Sequence, residues 1–216
     1  DTHSHLFLEE FSEDLPQVIE RARSAGVTHI FMPNIDSTTI DSMLSVCNTY
    51  NDYCFPMIGL HPTSVNADYE KELEIVAREL RSFNKYIAIG EVGMDLYWDK
   101  TFLKEQQIVL DKQINWALEY DLPVVIHCRD AFGYIYNVLE PYKNTSLKGV
   151  FHSFTGTDDE AARILEFSGF LIGINGVVTF KKSRLPEVLT KIPLEKIVLE
   201  TDSPYLTPVP NRGKRN

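Results

Sequence analysis

Five of the six histidines in this chain fall in polar clusters that follow short apolar runs. His3 and His5 lie in Asp1-Thr2-His3-Ser4-His5, His61 in Gly59-Leu60-His61-Pro62, His127 in His127-Cys128-Arg129 and His152 in His152-Ser153-Phe154. Two carboxylates have the same placement, Glu91 in Gly90-Glu91-Val92-Gly93 and Asp202 in Glu200-Thr201-Asp202-Ser203-Pro204. Alternate residues of a strand point to the same side, so His3 and His5 can meet one ion. Imidazole and carboxylate together suit Zn, Mn, Fe, Co or Ni better than Ca. Glu91 is placed to bridge two ions, and two ions roughly 3.5–4 Å apart can activate water and stabilise a leaving oxygen. Taken singly, each motif has an ordinary explanation. A His-x-His pair arises by chance, a histidine at a strand end packs in the core or a loop, and an Asp before Ser-Pro forms a turn. The joint pattern tips the balance, because the segments of helical period contain none of the histidines. His29, at the start of a run rather than its end, is read as structural.

These side chains need strands to carry them to one place. Strands are expected near Asp1 and at Thr28–Met32, Cys54–Ile58, Tyr86–Ile89, Pro123–Ile126, Gly149–Phe151, Phe170–Ile174 and Lys196–Leu199. Continuous apolar runs such as Val124-Val125-Ile126 suit strands buried on both faces of a parallel sheet. Amphipathic helices are expected between them. One is capped by Ser12 and ends at Gly26, a second is capped by Ser37, and a third opens at Asn66 with Leu73, Val76, Ala77 and Leu80 on one face. Others fall near Thr101–Tyr120, Asp130–Tyr142, Asp158–Ser168 and Arg184–Lys191. An eighth helix would lie beyond Asn216. Alternation of this kind gives a barrel or a doubly wound sheet. Polar residues at the C-terminal ends of many strands favour the α/β TIM-type (β/α)8 barrel, with the last helix missing. No interdomain linker or short repeat interrupts residues 1–216, so a single domain is expected, one truncated at both ends.

The remaining features limit the class of protein. No apolar run is long enough to span a bilayer, and the polar N-terminus does not read as a signal peptide. Three cysteines, Cys47, Cys54 and Cys128, have no framework spacing and read as reduced thiols in a cytoplasmic protein. A net charge of −10 argues against a surface that attracts nucleic acid generally. Local cations remain. Lys181-Lys182-Ser183-Arg184 follows the seventh expected strand, Arg212, Lys214 and Arg215 follow the eighth, and Arg129 sits directly beyond His127. Such residues suit a local phosphate track. Tyr97, Trp98 and Phe180 stand where they could stack unpaired bases, whereas Phe102 is expected to pack within its loop.

The clusters around His3, His61, Glu91, His127 and His152, together with Glu200-Thr201-Asp202-Ser203-Pro204-Tyr205-Leu206, resemble the TatD deoxyribonucleases of the amidohydrolase-like metal-dependent hydrolases. The resemblance covers essentially the whole chain, with the motifs in order. It implies a metal-dependent nuclease that removes nucleotides from DNA ends, often 3′ to 5′. It also implies that His3, His5, Glu91 and Asp202 hold one ion and Glu91, His127 and His152 the other, with Mg as well as Zn or Mn as candidates. Asp202 would orient or deprotonate the attacking water. His61 has two roles open to it, contact with the phosphate or leaving oxygen, and support of its own loop. The expected partner is DNA that is single-stranded or has a free 3′ end, with a monomer as the default and no membrane association. The main rival is a small-molecule amidohydrolase on the same barrel. That reading would not need the basic loop at 181–184, and a carboxylated lysine in place of Glu91 would favour it.

Overall fold

The computed structural model describes residues 1–82 and 85–216. Its strands are β1 (Ile30–Pro33), β2 (Cys54–Met57), β3 (Ile89–Asp95), β4 (Val124–Arg129), β5 (Gly149–Phe151), β6 (Phe170–Ile174) and β7 (Ile197–Leu199). Its helices are α1 (Leu15–Ser24), α2 (Ile40–Thr49), α3 (Tyr69–Ser82), α4 (Leu103–Glu119), α5 (Phe132–Leu139), α6 (Asp158–Leu165) and α7 (Leu185–Leu189). All strand pairs are parallel, with β1 beside β2 and the others in the order β3-β4-β5-β6-β7.

Backbone hydrogen bonds join the two groups of strands. Ile87 N donates to Pro56 O at 3.0 Å and Gly90 N to Ile58 O at 2.8 Å, linking β2 to β3. On the opposite side, residues 1–5 run between β1 and the end of β7. Phe31 N donates to Asp1 O and Ser4 N to Phe31 O, both at 3.0 Å. Thr2 N donates to Leu199 O at 3.1 Å and His5 N to Ser203 O at 2.8 Å. The ring is a TIM-type barrel whose eighth member is this N-terminal segment. The strand expected near Asp1 is therefore an irregular seam, with an isolated bridge between Ser4 and Ser203 rather than a full ladder.

The expected Tyr86–Ile89 strand is displaced. Its regular part is Ile89–Asp95, buried at every position, so Glu91 sits inside a strand and not at its end. Gly93 allows this: it has φ +135°, and a Cβ there would lie 2.0 Å from His127 O. β4 likewise runs on through His127 to Arg129. Among the helices, Ser12 does not cap α1, which starts beyond Asp14 with Pro16 in its first turn, where proline's fixed φ fits. Ser37 donates its backbone N–H and hydroxyl to Glu72 on α3, at 2.9 and 2.8 Å, and α2 begins after Thr39. The α6 terminus carries a full capping box between Thr157 and Glu160.

Leu73, Val76 and Leu80 bury one face of α3, as helical spacing requires. Phe151, Phe170, Met32 and Ile126 fill the main core. Each such side chain contributes about 1.5–3 kcal/mol by leaving water. Phe102 packs with Leu60, Val65, Leu73 and Val109 in a smaller cluster, as expected. No described helix is long and apolar enough to cross a membrane. Cys47, Cys54 and Cys128 are free thiols.

Candidate metal centre

The seam, β3, β4, the start of the segment after β5 and the segment after β7 deliver their polar residues to one point. Glu91 is at its centre, 3% exposed. Its two oxygens face different groups. Oε2 stands 3.1 Å from His3 Nε2 and 3.7 Å from His5 Nε2. Oε1 stands 2.9 Å from His127 Nδ1, 3.4 Å from His61 Nε2 and 3.8 Å from His152 Nε2. Asp202 Oδ1 closes the His3–His5 side at 3.8 and 3.4 Å, and lies 3.8 Å from His152 Nε2. The structure thus brings all six expected ligands together and adds His61 to them.

A cation fits this donor set. His3 Nε2 and His5 Nε2 lie 3.2 Å apart, while the Nδ1 of each ring is buried without a hydrogen-bond partner. Among the described residues, three sets of side chains bring ligand atoms within ion-binding reach of one another: His3, His5 and Asp202; His3, His152 and Glu200; and His61, Glu91 and His127. The cleft over them, about 740 Å³, is lined by Glu91, Asp95 and Asp202, with Arg129 as its only Lys or Arg among the described residues.

Two further carboxylates position the imidazoles. Asp95 Oδ2 stands 2.9 Å from His127 Nε2, and Glu200 Oε2 stands 3.0 Å from His152 Nδ1. A carboxylate on the second nitrogen fixes a ligand imidazole's tautomer and direction. Asp95 lies four residues after Glu91 on β3, so strand parity carried its signal; Glu200 stands just beyond β7, two residues before Asp202. Glu200 lies against the bare Cα of Gly173, where a Cβ would come within 2.5 Å of its Oε2, and it accepts Ser153 N–H at 2.6 Å. Two buried glutamines of α4, seven residues apart on one face, clamp the neighbouring backbone. Gln106 accepts from Asp95 N at 2.9 Å and donates to Asp95 O at 3.2 Å; Gln113 does the same for Leu60 at 2.7 and 3.2 Å. Asp1 anchors the seam by accepting Thr201 N–H at 3.0 Å and the Thr201 hydroxyl at 2.7 Å.

These contacts divide the histidines by charge. Burial alone would lower His127, but its bonds to Asp95 and Glu91 raise it to about 9. Burial also opposes protonation of His152, but Glu200, Glu91 and Asp202 lift it to about 10. His3, buried and stacked on His152 with centroids 3.4 Å apart, is held below the usual imidazole range by burial and by that neighbour. Burial also lowers His61, against the pull of Glu91. Burial alone would raise Glu91, but the surrounding imidazoles carry it well below the usual carboxylate range. Asp202, with φ +57°, holds a backbone conformation that side chains other than glycine adopt at a cost.

The expected substrate contacts separate into two groups. His61, Arg129 and Trp98 line the cleft. Lys182 and Arg184 line a neighbouring depression with Asp158 and Asp159, which shares Thr155 and Val177 with the cleft, and Lys181 is exposed beside them. The basic loop is next to the centre rather than over it, because β6 ends in a helical turn, Gly176–Thr179, that leads the chain sideways. His29 contacts Thr28 and Phe55 at the opposite end of β1 from this centre, as its structural reading expects.

The sequence profile of the family described as "TatD related DNase" matches residues 1–216. A Bacillus subtilis relative, "Uncharacterized metal-dependent hydrolase YabD", is 38% identical over all of this chain and 84% of its own length. A Pantoea ananatis relative named "3'-5' ssDNA/RNA exonuclease TatD" is 33% identical over 96% of this chain and 80% of its own. The crystal structure of YjjV, described as a TatD homolog from Escherichia coli, superposes with TM-score 0.90 at 32% identity, covering 100% of this chain and 83% of that one.

Proposed function

The chain belongs to the TatD-related DNase family and is a metal-dependent hydrolase, and from that premise we propose that it hydrolyses phosphodiester bonds of DNA from the 3′ end with two divalent ions. The observation that carries this reading is the division of Glu91, with Oε2 turned to His3 and His5 and Oε1 to His127, His61 and His152. A carboxylate shared in this way suits a pair of cations. His3, His5, Glu91 and Asp202 would hold one, and Glu91, His127 and His152 the other. When bound, such ions supply hydroxide near neutrality and offset the charge that builds on phosphate oxygens.

The chain's own groups supply the rest. Asp202 orients the attacking water and takes its proton. His61 is set up as a donor: Thr63 N–H donates to its Nδ1 at 3.1 Å, so in the neutral ring favoured by burial the proton sits on Nε2, facing the cleft. That N–H can bond a phosphate oxygen or the leaving oxygen, and the Thr63 contact also fixes the loop. The two roles considered for His61 are therefore compatible. Arg129 faces the incoming phosphates, and Lys181, Lys182 and Arg184 lie farther along the strand's route.

The test uses single-stranded DNA labelled at its 5′ end, with Mg²⁺, Mn²⁺ or EDTA, beside Asp202→Asn. A ladder of 3′-shortened products is expected, abolished by EDTA and reduced about 10²–10⁴-fold by Asp202→Asn. Absence of cleavage with every metal, in protein shown to bind two ions, would sink the nuclease reading.

A further inference from the structure

The rim of the cleft beyond β3 carries an exposed aromatic pair. Trp98 is 71% and Tyr97 54% exposed. The two rings meet edge to face, with centroids 4.9 Å apart. Arg129, at the end of β4, places its guanidinium carbon 3.9 Å from the Tyr97 centroid and 5.2 Å from that of Trp98. Trp98 and Arg129 line the same cleft as Glu91, His127 and Asp202.

This rim is tied to the metal centre. Asp95 Oδ1 accepts Tyr97 N–H at 3.0 Å, while Oδ2 stands 2.9 Å from His127 Nε2. Gln106 holds Asp95 by its backbone. One carboxylate therefore sets both the direction of an imidazole and the position of the turn that presents the indole. An indole this exposed gains little from its own fold, and a guanidinium held over an aromatic ring still has N–H groups to offer a phosphate.

We infer that Trp98, braced by Tyr97 and Arg129, is a stacking platform for an unpaired base of the strand being cleaved, with Arg129 gripping a phosphate of the same strand. The inference rests on the nuclease reading for its substrate class. In a duplex both faces of each base are covered by their neighbours, so only an unpaired base can lie on Trp98. Every base has such a face, so the platform selects single strands without selecting sequence. Strand preference thereby belongs to the rim and bond cleavage to the metals.

The chain has two tryptophans, so Trp116→Phe leaves Trp98 as the only indole reporter. The metal-loaded protein is titrated with phosphorothioate oligothymidylate, which resists hydrolysis, with the same oligomer lacking bases, and with a blunt duplex. Quenching of Trp98 by the thymidylate alone is expected. Trp98→Ala should weaken thymidylate binding roughly 5- to 100-fold and bind the two single-stranded oligomers alike, and Trp98→Phe should restore most of the difference. No quenching, or equal thymidylate affinity in Trp98→Ala, overturns the platform while ordinary DNA is still hydrolysed. Quenching in a protein that hydrolyses no oligonucleotide would leave the platform standing and overturn the nuclease reading instead.

Discussion

On one side of Glu91, His127 meets a carboxylate at each ring nitrogen, Glu91 and Asp95, both at 2.9 Å; on the other, His3 and His5 turn their Nε2 atoms toward each other at 3.2 Å and keep both Nδ1 atoms buried without a partner. The His127 side is complete as a set of protein contacts, reinforced by the two glutamine clamps of α4. On the His3–His5 side the Nε2 atoms converge on Glu91 and Asp202, and no protein group fixes either ring from its Nδ1. The first is braced by protein at both nitrogens of its imidazole, whereas the second is braced at one nitrogen of each ring only.

The most severe test removes what the two sides share. Glu91→Gln should abolish DNA hydrolysis by more than the roughly 10²–10⁴-fold that loss of a positioned base costs, and metal analysis should find both ions reduced. Retention of one tightly held ion would mean that one side needs no bridge. Asp95→Asn and Glu200→Gln both act on the His127 side, through the two imidazoles that would share its ion. Each should weaken metal binding about 10–100-fold, Asp95→Asn acting through His127 and Glu200→Gln through His152. In a competition titration against a chelating dye, Asp95→Asn should move one of the two binding steps, and equal movement of both would erase the distinction drawn above.

The effect of pH follows from the raised imidazoles. His127 and His152 keep their protons up to about 9 and about 10, so near neutrality an ion must displace a proton from each ring it binds. Apparent affinity should rise with pH, about tenfold per unit for each displaced proton, and level off above those values. Calorimetry in buffers of differing ionisation heat counts the protons; none released at pH 7 would contradict the charge state. The smallest effect on metal binding is expected from Gln113→Leu, whose cost falls on folding: it strands the N–H and C=O of Leu60 at about 1–3 kcal/mol for each buried group. Urea unfolding should show the same loss with and without Mg²⁺, because this clamp holds the backbone of Leu60 and none of the six candidate ligand side chains.

Much of this was legible before any coordinates. Seven strands fall on or beside their expected runs, because continuous Val, Ile and Phe segments bury both faces in a parallel barrel. The ligand residues were visible through their types and their place relative to those runs. Harder to see was where β3 and β4 end, since Gly93 lets two strands approach closely and continue through the residues that look like loops. Asp95 was readable only by counting strand parity from Glu91, and Glu200 only as a further carboxylate beside Asp202 at the end of β7. Gln106 and Gln113 gave no such signal, because a polar residue on an amphipathic helix ordinarily faces water and only the packed structure shows these two turned inward. Ser37 had the chemistry of a helix cap, but Glu72 on α3 engages it instead, a contact between segments that local spacing does not encode.

Asp1 and Thr201, 200 positions apart, are bonded at the seam that carries His3, His5 and Asp202. Bringing together points so distant in sequence is among the slower events of folding. The candidate ligand set is therefore completed only when two segments some 200 residues apart have met. Hydrolytic chemistry thereby answers to the global fold rather than to any local segment of the chain.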